Sequence, residues 1–167
     1  MKRFYLIDGY NVIFRDPDLR EIYRKDPEAG RRRLLDLVSR YAAARSARGI
    51  VAFDGGESPE GRVEPSSSGS VETIFVKDAD AYIRRRVYGA REKDALVVVS
   101  SDEAHVARYA RGMGIRLVRV EEFMEDVRVK DRMPRGRSEK PESETEDGVD
   151  YWLEAFGSGQ GKRKKGG

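Results

Sequence analysis

Phe4-Tyr5-Leu6-Ile7 is an unbroken apolar run that stops at Asp8-Gly9. Four apolar residues without alternation predict a strand buried on both faces, followed by a turn. Asp26-Pro27-Glu28 predicts a helix start, with Asp as N-cap, Pro where the missing N–H costs nothing, and Glu in the first turn. Leu34, Val38, Tyr41, Ala42 and Arg45 follow at helical spacing, so this helix turns an apolar stripe to a core, and Gly49 closes it. Ile50-Val51-Ala52-Phe53 reads as the second strand, ending at Asp54-Gly55-Gly56. Gly55 to Gly69, with the Ser66-Ser67-Ser68 run, reads as one long mobile loop. Glu72 to Val76 predicts a third strand, and Asp78 then caps a helix carrying Tyr82, Ile83, Val87 and Ala90. Ala95 to Val99 is the fourth and most apolar strand. Ser100-Ser101-Asp102-Glu103 reads as a capping box for a helix running towards Gly112 or Gly114. Ile115 to Val120 gives a fifth strand and Glu121 to Val127 a short last helix.

Strands alternating with helices predict an α/β fold, a doubly wound parallel sheet of about five strands with helices on both faces. This domain is expected to occupy residues 1–130. Residues 131–167 break the pattern: a polar, Pro-containing linker from Pro134 to Asp150, an aromatic turn at Tyr151-Trp152-Leu153 and Phe156, and the basic tail Lys162-Arg163-Lys164-Lys165.

Apolar residues make up 38% of the 167-residue chain, enough for one modest core, and charged residues another 38%, well above the roughly 25% usual in globular domains. The net charge of +3 permits nucleic-acid binding without requiring it. The absence of cysteine excludes disulfides, thiolate metal sites and cysteine nucleophiles, and suits a reducing compartment. Met1-Lys2-Arg3 before the first apolar run resembles a signal peptide only superficially, because Asp8 and Asn11 interrupt it. With no membrane span either, the expected location is the cytoplasm.

Candidate chemistry lies where the strands end, since ligands of an open parallel sheet bind outside its carboxyl ends. Asp8, Asp54, Asp80 and Asp102 fall at or just beyond the ends of the first four strands. Each alone has a structural reading as an N-cap or turn former, Asp54 most as a turn former and Asp78 most as a cap. Together on one rim they would repel one another unless a cation neutralised them. Oxygen ligands select hard ions such as Mg²⁺ or Mn²⁺, which support phosphodiester hydrolysis.

Leu6-Ile7-Asp8-Gly9-Tyr10-Asn11 resembles the opening motif of NYN domains, specifically of the YacP-like family within the PIN/FLAP-like nuclease superfamily. Val51-Ala52-Phe53-Asp54 resembles that family's second strand, Asp78-Ala79-Asp80-Ala81-Tyr82-Ile83 its central acidic motif, and Val98-Val99-Ser100-Ser101-Asp102 its Ser/Thr-Asp motif. Ser138-Glu139-Lys140-Pro141 and the aromatic turn after it resemble the family's C-terminal extension. The resemblance implies a PIN-like fold and a Mg²⁺- or Mn²⁺-dependent endoribonuclease acting on single-stranded RNA, with mRNA on the ribosome as an expected setting. It implies Asp8, Asp80 and Asp102 as the catalytic, metal-binding carboxylates, Asp54 in the outer shell, and Asn11 and Ser101 in support. Asp78 stands where relatives often carry an uncharged residue, so positions 78 and 80 are open to sharing that role. Arg84-Arg85-Arg86 replaces a more acidic helix continuation.

Arg62, Lys77 and Arg84 are the candidate phosphate contacts, against the stronger reading of each as ordinary surface charge in so charged a chain. Tyr10 either stacks on a base or packs under the first turn. His105, the only histidine, is expected on the outer part of a helix without catalytic duty, and no serine sits in a nucleophile elbow. Haloacid-dehalogenase chemistry needs a second Asp at position 10, where this chain has Tyr10. The rival reading is a non-catalytic RNA- or ribosome-binding adaptor that keeps the fold; the aromatic turn either docks on a partner or folds back on the domain, and the basic tail either binds RNA or solubilises the chain.

Overall fold

The computed structural model of the chain describes residues 2–65 and 69–133. The linker, aromatic turn and basic tail lie outside the described residues. In chain order the elements are β1 (Phe4–Asp8), α1 (Gly9–Arg15), α2 (Pro17–Lys25), α3 (Pro27–Ala44), β2 (Arg48–Asp54), β3 (Arg62–Pro65) and β4 (Val71–Val76). There follow α4 (Ala79–Tyr88), β5 (Leu96–Val99), a wide π-type turn (Glu103–Ala107) continuing into α5 (Arg108–Gly112), β6 (Arg116–Val118) and α6 (Val120–Arg132). The strands form one six-stranded sheet in the order β3-β4-β2-β1-β5-β6. All neighbours pair in parallel except β3, which runs antiparallel to β4.

That edge strand corrects the sequence reading, which placed Arg62 to Pro65 inside a loop and expected about five strands. β3 makes the sixth strand by folding back on β4 with Val63 opposite Ile74. It shields the outer edge of the sheet with a short, charged segment.

The central strands are buried on both faces, so alternate residues serve two cores. Tyr5, Ile7, Val51, Phe53, Val97 and Val99 face a layer built from α1, α2, α3 and α6. Phe4, Leu6, Ile50, Ala52, Leu96 and Val98 face α4 and α5. Each fully buried aliphatic side chain contributes about 1.5–3 kcal/mol, which explains why these strands read as continuous apolar runs. Among the described residues no helix is long and apolar enough to cross a membrane.

Two helices between β1 and α3 were not anticipated. Asp16-Pro17 starts α2 as Asp26-Pro27 starts α3, with Asp16 Oδ2 accepting the Leu19 N–H at 3.0 Å. The signal is hidden because α2 is so polar that only Leu19 is buried on it. Asp16 itself is buried and also meets Arg128 of α6 at 2.6 Å. Asp16→Ala is therefore expected to cost about 2 kcal/mol, cap and ion pair together. Asp16→Asn, which keeps the cap, should recover about half of that. Urea midpoints measure both, and equal losses in the two variants would refute the cap contribution.

Candidate functional site

The strand order reverses around β1: β2 lies on one side of it and β5 on the other. A crevice opens at such a switch point, at the carboxyl ends of the strands. Asp8 is the last residue of β1 and only 5% exposed. Ile7 is in register with Val99, so the chain leaving β5 passes directly beside Asp8. There the Ser100 hydroxyl donates to Asp8 Oδ2 at 3.2 Å. Asp102 follows and caps the π-type turn by accepting the His105 N–H at 3.2 Å. Asp80 comes from the first turn of α4, whose N-cap is Asp78 through the Ala81 N–H at 3.0 Å. Asp54 Oδ1 accepts the Ala79 N–H at 2.8 Å, tying the end of β2 to the start of α4.

These carboxylates share one electrostatic field. Burial pushes the Asp8 carboxyl from its ordinary 3.8 up to about 7, and the charges of Asp80, Asp54 and Asp102 push the same way against the Ser100 hydrogen bond. Burial also raises Asp80, helped by Asp102, Asp54 and Asp78 and opposed by His105. A site that strains to expel negative charge is one that a cation relieves. Donor atoms of Asp80, Asp102 and His105 lie within 4.8 Å of one another, close enough to share one ion. The carboxylates suit a hard divalent ion such as Mg²⁺ or Mn²⁺, while the imidazole is a ligand more usual for transition metals. The residues present thus fit a divalent cation.

A second layer fixes the first. Asn11 Oδ1 accepts the Ser101 N–H at 2.8 Å, and the Asp102 N–H reaches Ser100 Oγ at 3.1 Å. The Ser101 hydroxyl accepts the Val120 N–H at 2.9 Å and donates to Glu121 at 2.8 Å. Glu121 also pairs with Arg15 at 2.6 Å. Its carboxyl is held down to about 2, first by its own backbone N–H, then, against some desolvation, by Ser101 and Arg15. Ser101 thus bridges the end of β5 to the start of α6. The expected capping box is replaced by Asp102 acting as cap, while both serines turn to neighbouring strands and helices.

Sequence reasoning passed over Ser100, Glu121 and His105. His105 is exposed as expected, yet its Nδ1 lies 3.2 Å from Asp102 Oδ2. The available signal was its position three residues after Asp102 at a helix start, which places both on one side.

The proposed phosphate and base contacts scatter. Lys77 joins β4 to α4 and is exposed, and Arg84 is exposed on α4. Arg62 lies on β3, paired to Glu64 at 2.7 Å, and lines a separate groove of about 820 Å³ against α3. The Tyr10 ring packs against Phe53 at 4.9 Å and stacks on Phe14 at 5.6 Å, with its hydroxyl 3.4 Å from Arg31.

The description "YacP-like NYN domain" fits residues 5–155 of the chain. A crystal structure of Rae1 (YacP) from Bacillus subtilis superposes with a TM-score of 0.62 at 26% identity, covering 79% of this chain and 76% of that one. The structure of a point mutant of the same protein gives 0.62 at 24% identity, over 78% and 77% of the two chains. No curated protein matches.

Proposed function

The chain belongs to the YacP-like NYN domain family, and from that premise we propose that it is a metal-dependent endoribonuclease cutting phosphodiester bonds in single-stranded RNA. The observation that carries this reading is the group of Asp80, Asp102 and His105 at the switch point of the sheet, with the buried Asp8 carboxyl within reach of the charges of Asp80, Asp54 and Asp102. Asp8, Asp80 and Asp102 would hold Mg²⁺ or Mn²⁺, with Asp54 outside them. When bound, such an ion supplies charge stabilisation at a phosphoryl group and activation of water.

The protein's own groups prepare the site. Ser100 fixes the rotamer of Asp8, and His105 steadies Asp102 from the exposed side. Asn11 commits its carbonyl to Ser101, which leaves its amide donor for a substrate oxygen. Asp54 and Asp78 set the position of the first turn of α4, and through it Asp80. Water is the attacking group in this reading, so no side chain has to become a covalent nucleophile.

Labelled single-stranded RNA incubated with the protein and Mn²⁺ or Mg²⁺ tests the proposal. Internal cleavage is expected, stopped by chelator and missing from Asp8→Asn and Asp80→Asn. If free RNA is inert, mRNA on ribosomes is the next substrate. Metal binding with no cleavage of either would make the protein an RNA- or ribosome-binding adaptor instead.

A further inference from the structure

Asp80 does not stand alone on its face of α4. Asp80, Arg84 and Tyr88 are spaced four residues apart, so they lie in one row along the helix, with Ala81 and Arg85 beside them. At helical rise Arg84 lies about 6 Å and Tyr88 about 12 Å along the axis from Asp80. Across from this row stand His105 and Tyr109 on the π-type turn and α5. His105 meets Asp80 and Asp102 at the site, and Tyr109 closes a groove of about 560 Å³ with Ala81, Arg84, Arg85 and Tyr88. The groove therefore starts at Ala81, next in the chain to Asp80, and runs down α4.

Its lining is unusual for so acidic a neighbourhood. Among the described residues it contains two arginines, two tyrosines and no carboxylate. Tyr88 is 73% exposed, an unfavourable position for a large aromatic. Arg84 has no ion-pair partner among the described residues, and Arg85 bonds only a neutral acceptor, the Pro59 carbonyl, at 2.7 Å. The larger groove beside α3 differs: Glu28 and Glu64 there already pair with Arg32 and Arg62. Accessible aromatic rings, Tyr88 exposed and Tyr109 half-buried against the core, beside guanidinium groups with no carboxylate partner among the described residues are what a single strand needs, one for its bases and one for its phosphates.

We propose that the α4–α5 groove is the track for single-stranded RNA flanking the scissile phosphate, with Tyr88 and Tyr109 stacking on bases and Arg84 and Arg85 contacting phosphates. It rests on the nuclease reading of the carboxylate site and adds to it the path by which the strand leaves. Tyr88 acts as the outer stacking platform, Arg84 as the contact nearest the site.

The test uses the full chain carrying Asp8→Asn, so that bound RNA stays intact, and fluorescence anisotropy of an end-labelled single-stranded RNA. Adding Tyr88→Ala is expected to weaken binding about five- to a hundredfold, while Tyr88→Phe binds as well as the parent. Adding Arg84→Ala should lower the slope of log affinity against log salt by about 0.7, the value of one lost single-strand phosphate contact. Both positions are exposed, and unchanged melting temperatures confirm that the fold is intact. If RNA binds with the same affinity and salt slope after both alanine substitutions, the track is wrong and the nuclease reading stands. If wild-type protein neither cleaves nor binds RNA, free or on ribosomes, both readings fall.

Discussion

Asp8→Asn is expected to raise the melting temperature of the metal-free protein at pH 8 by about 4–8 °C while cutting RNA cleavage at least about a hundredfold. The folded Asp8 carboxyl titrates at about 7 against an ordinary 3.8, chiefly because of its burial. Below the lower value both folded and unfolded chains hold the proton, so the group has no effect on stability. Between the two values the unfolded chain releases the proton and the folded chain keeps it, so stability falls as pH rises. Above the upper value the full penalty applies, at most about 4 kcal/mol. Asn cannot ionise and escapes it, but forfeits the charge-assisted bond from Ser100, which leaves a net gain of about 2 kcal/mol. At pH 4 the advantage should vanish, and thermal melts across that range decide the matter. Saturating Mg²⁺ or Mn²⁺ should reverse the order if Asp8 holds the ion as proposed, since a ligand at a hundred times its Kd stabilises by about 2.7 kcal/mol. A variant no more stable than wild type at pH 8 would show that Asp8 carries no buried charge to relieve.

Gly9→Ala is expected to destabilise by about 1–3 kcal/mol through overpacking, and to lower activity as well. A Cβ at position 9 would sit 2.6 Å from Phe53 Cδ1, far inside contact distance. The ring has nowhere to go, because it stacks on Phe75 at 5.5 Å and leans on Tyr10 at 4.9 Å. The start of α1 must yield instead, and that start carries Asp8 on one side and Asn11 on the other. In a Phe53→Leu background the same substitution should cost less than about 0.5 kcal/mol, a coupling typical of residues in contact. Chemical denaturation of the two single variants and the double variant measures the cycle. Additive losses would mean that the ring is not what excludes a side chain at position 9.

The parts of the molecule legible in the sequence are those whose physics is local. β1 and β5 show as apolar runs because both their faces are buried, and Asp8 and Asp102 show as strand-end carboxylates for the same reason. α3 shows through its Asp26-Pro27 start and its apolar stripe. α1 and α2 did not show, since α2 offers one buried residue and its Asp16-Pro17 start lacks a stripe to support it. The π-type turn after Asp102 follows neither helical nor strand spacing, so it reads in the sequence as an ordinary helix. Ser100 and Glu121 acquire their partners only through sheet register and the docking of α6. Ser100 meets a residue 92 positions away, and no periodicity in the sequence reports that distance. β3 depends likewise on the chain turning back on β4, which the glycines of the intervening segment permit but do not announce.

The separation of 92 positions from Asp8 to Ser100 also imposes a delay during synthesis. Ribosomes add about 5–20 residues per second, so β1 waits roughly 5–18 s, on the same scale, before β5 can dock against it. Closing so long a loop is a late event in folding, because its entropy must be spent before the contacts return it. Until then Asp8 lacks Ser100, Asp102 does not exist, and Glu121 has yet to lock Ser101. On the proposed reading, a chain that stalls ahead of β5 never assembles the carboxylate site, so the order of synthesis delays the activity until the strands on both sides of β1 are made.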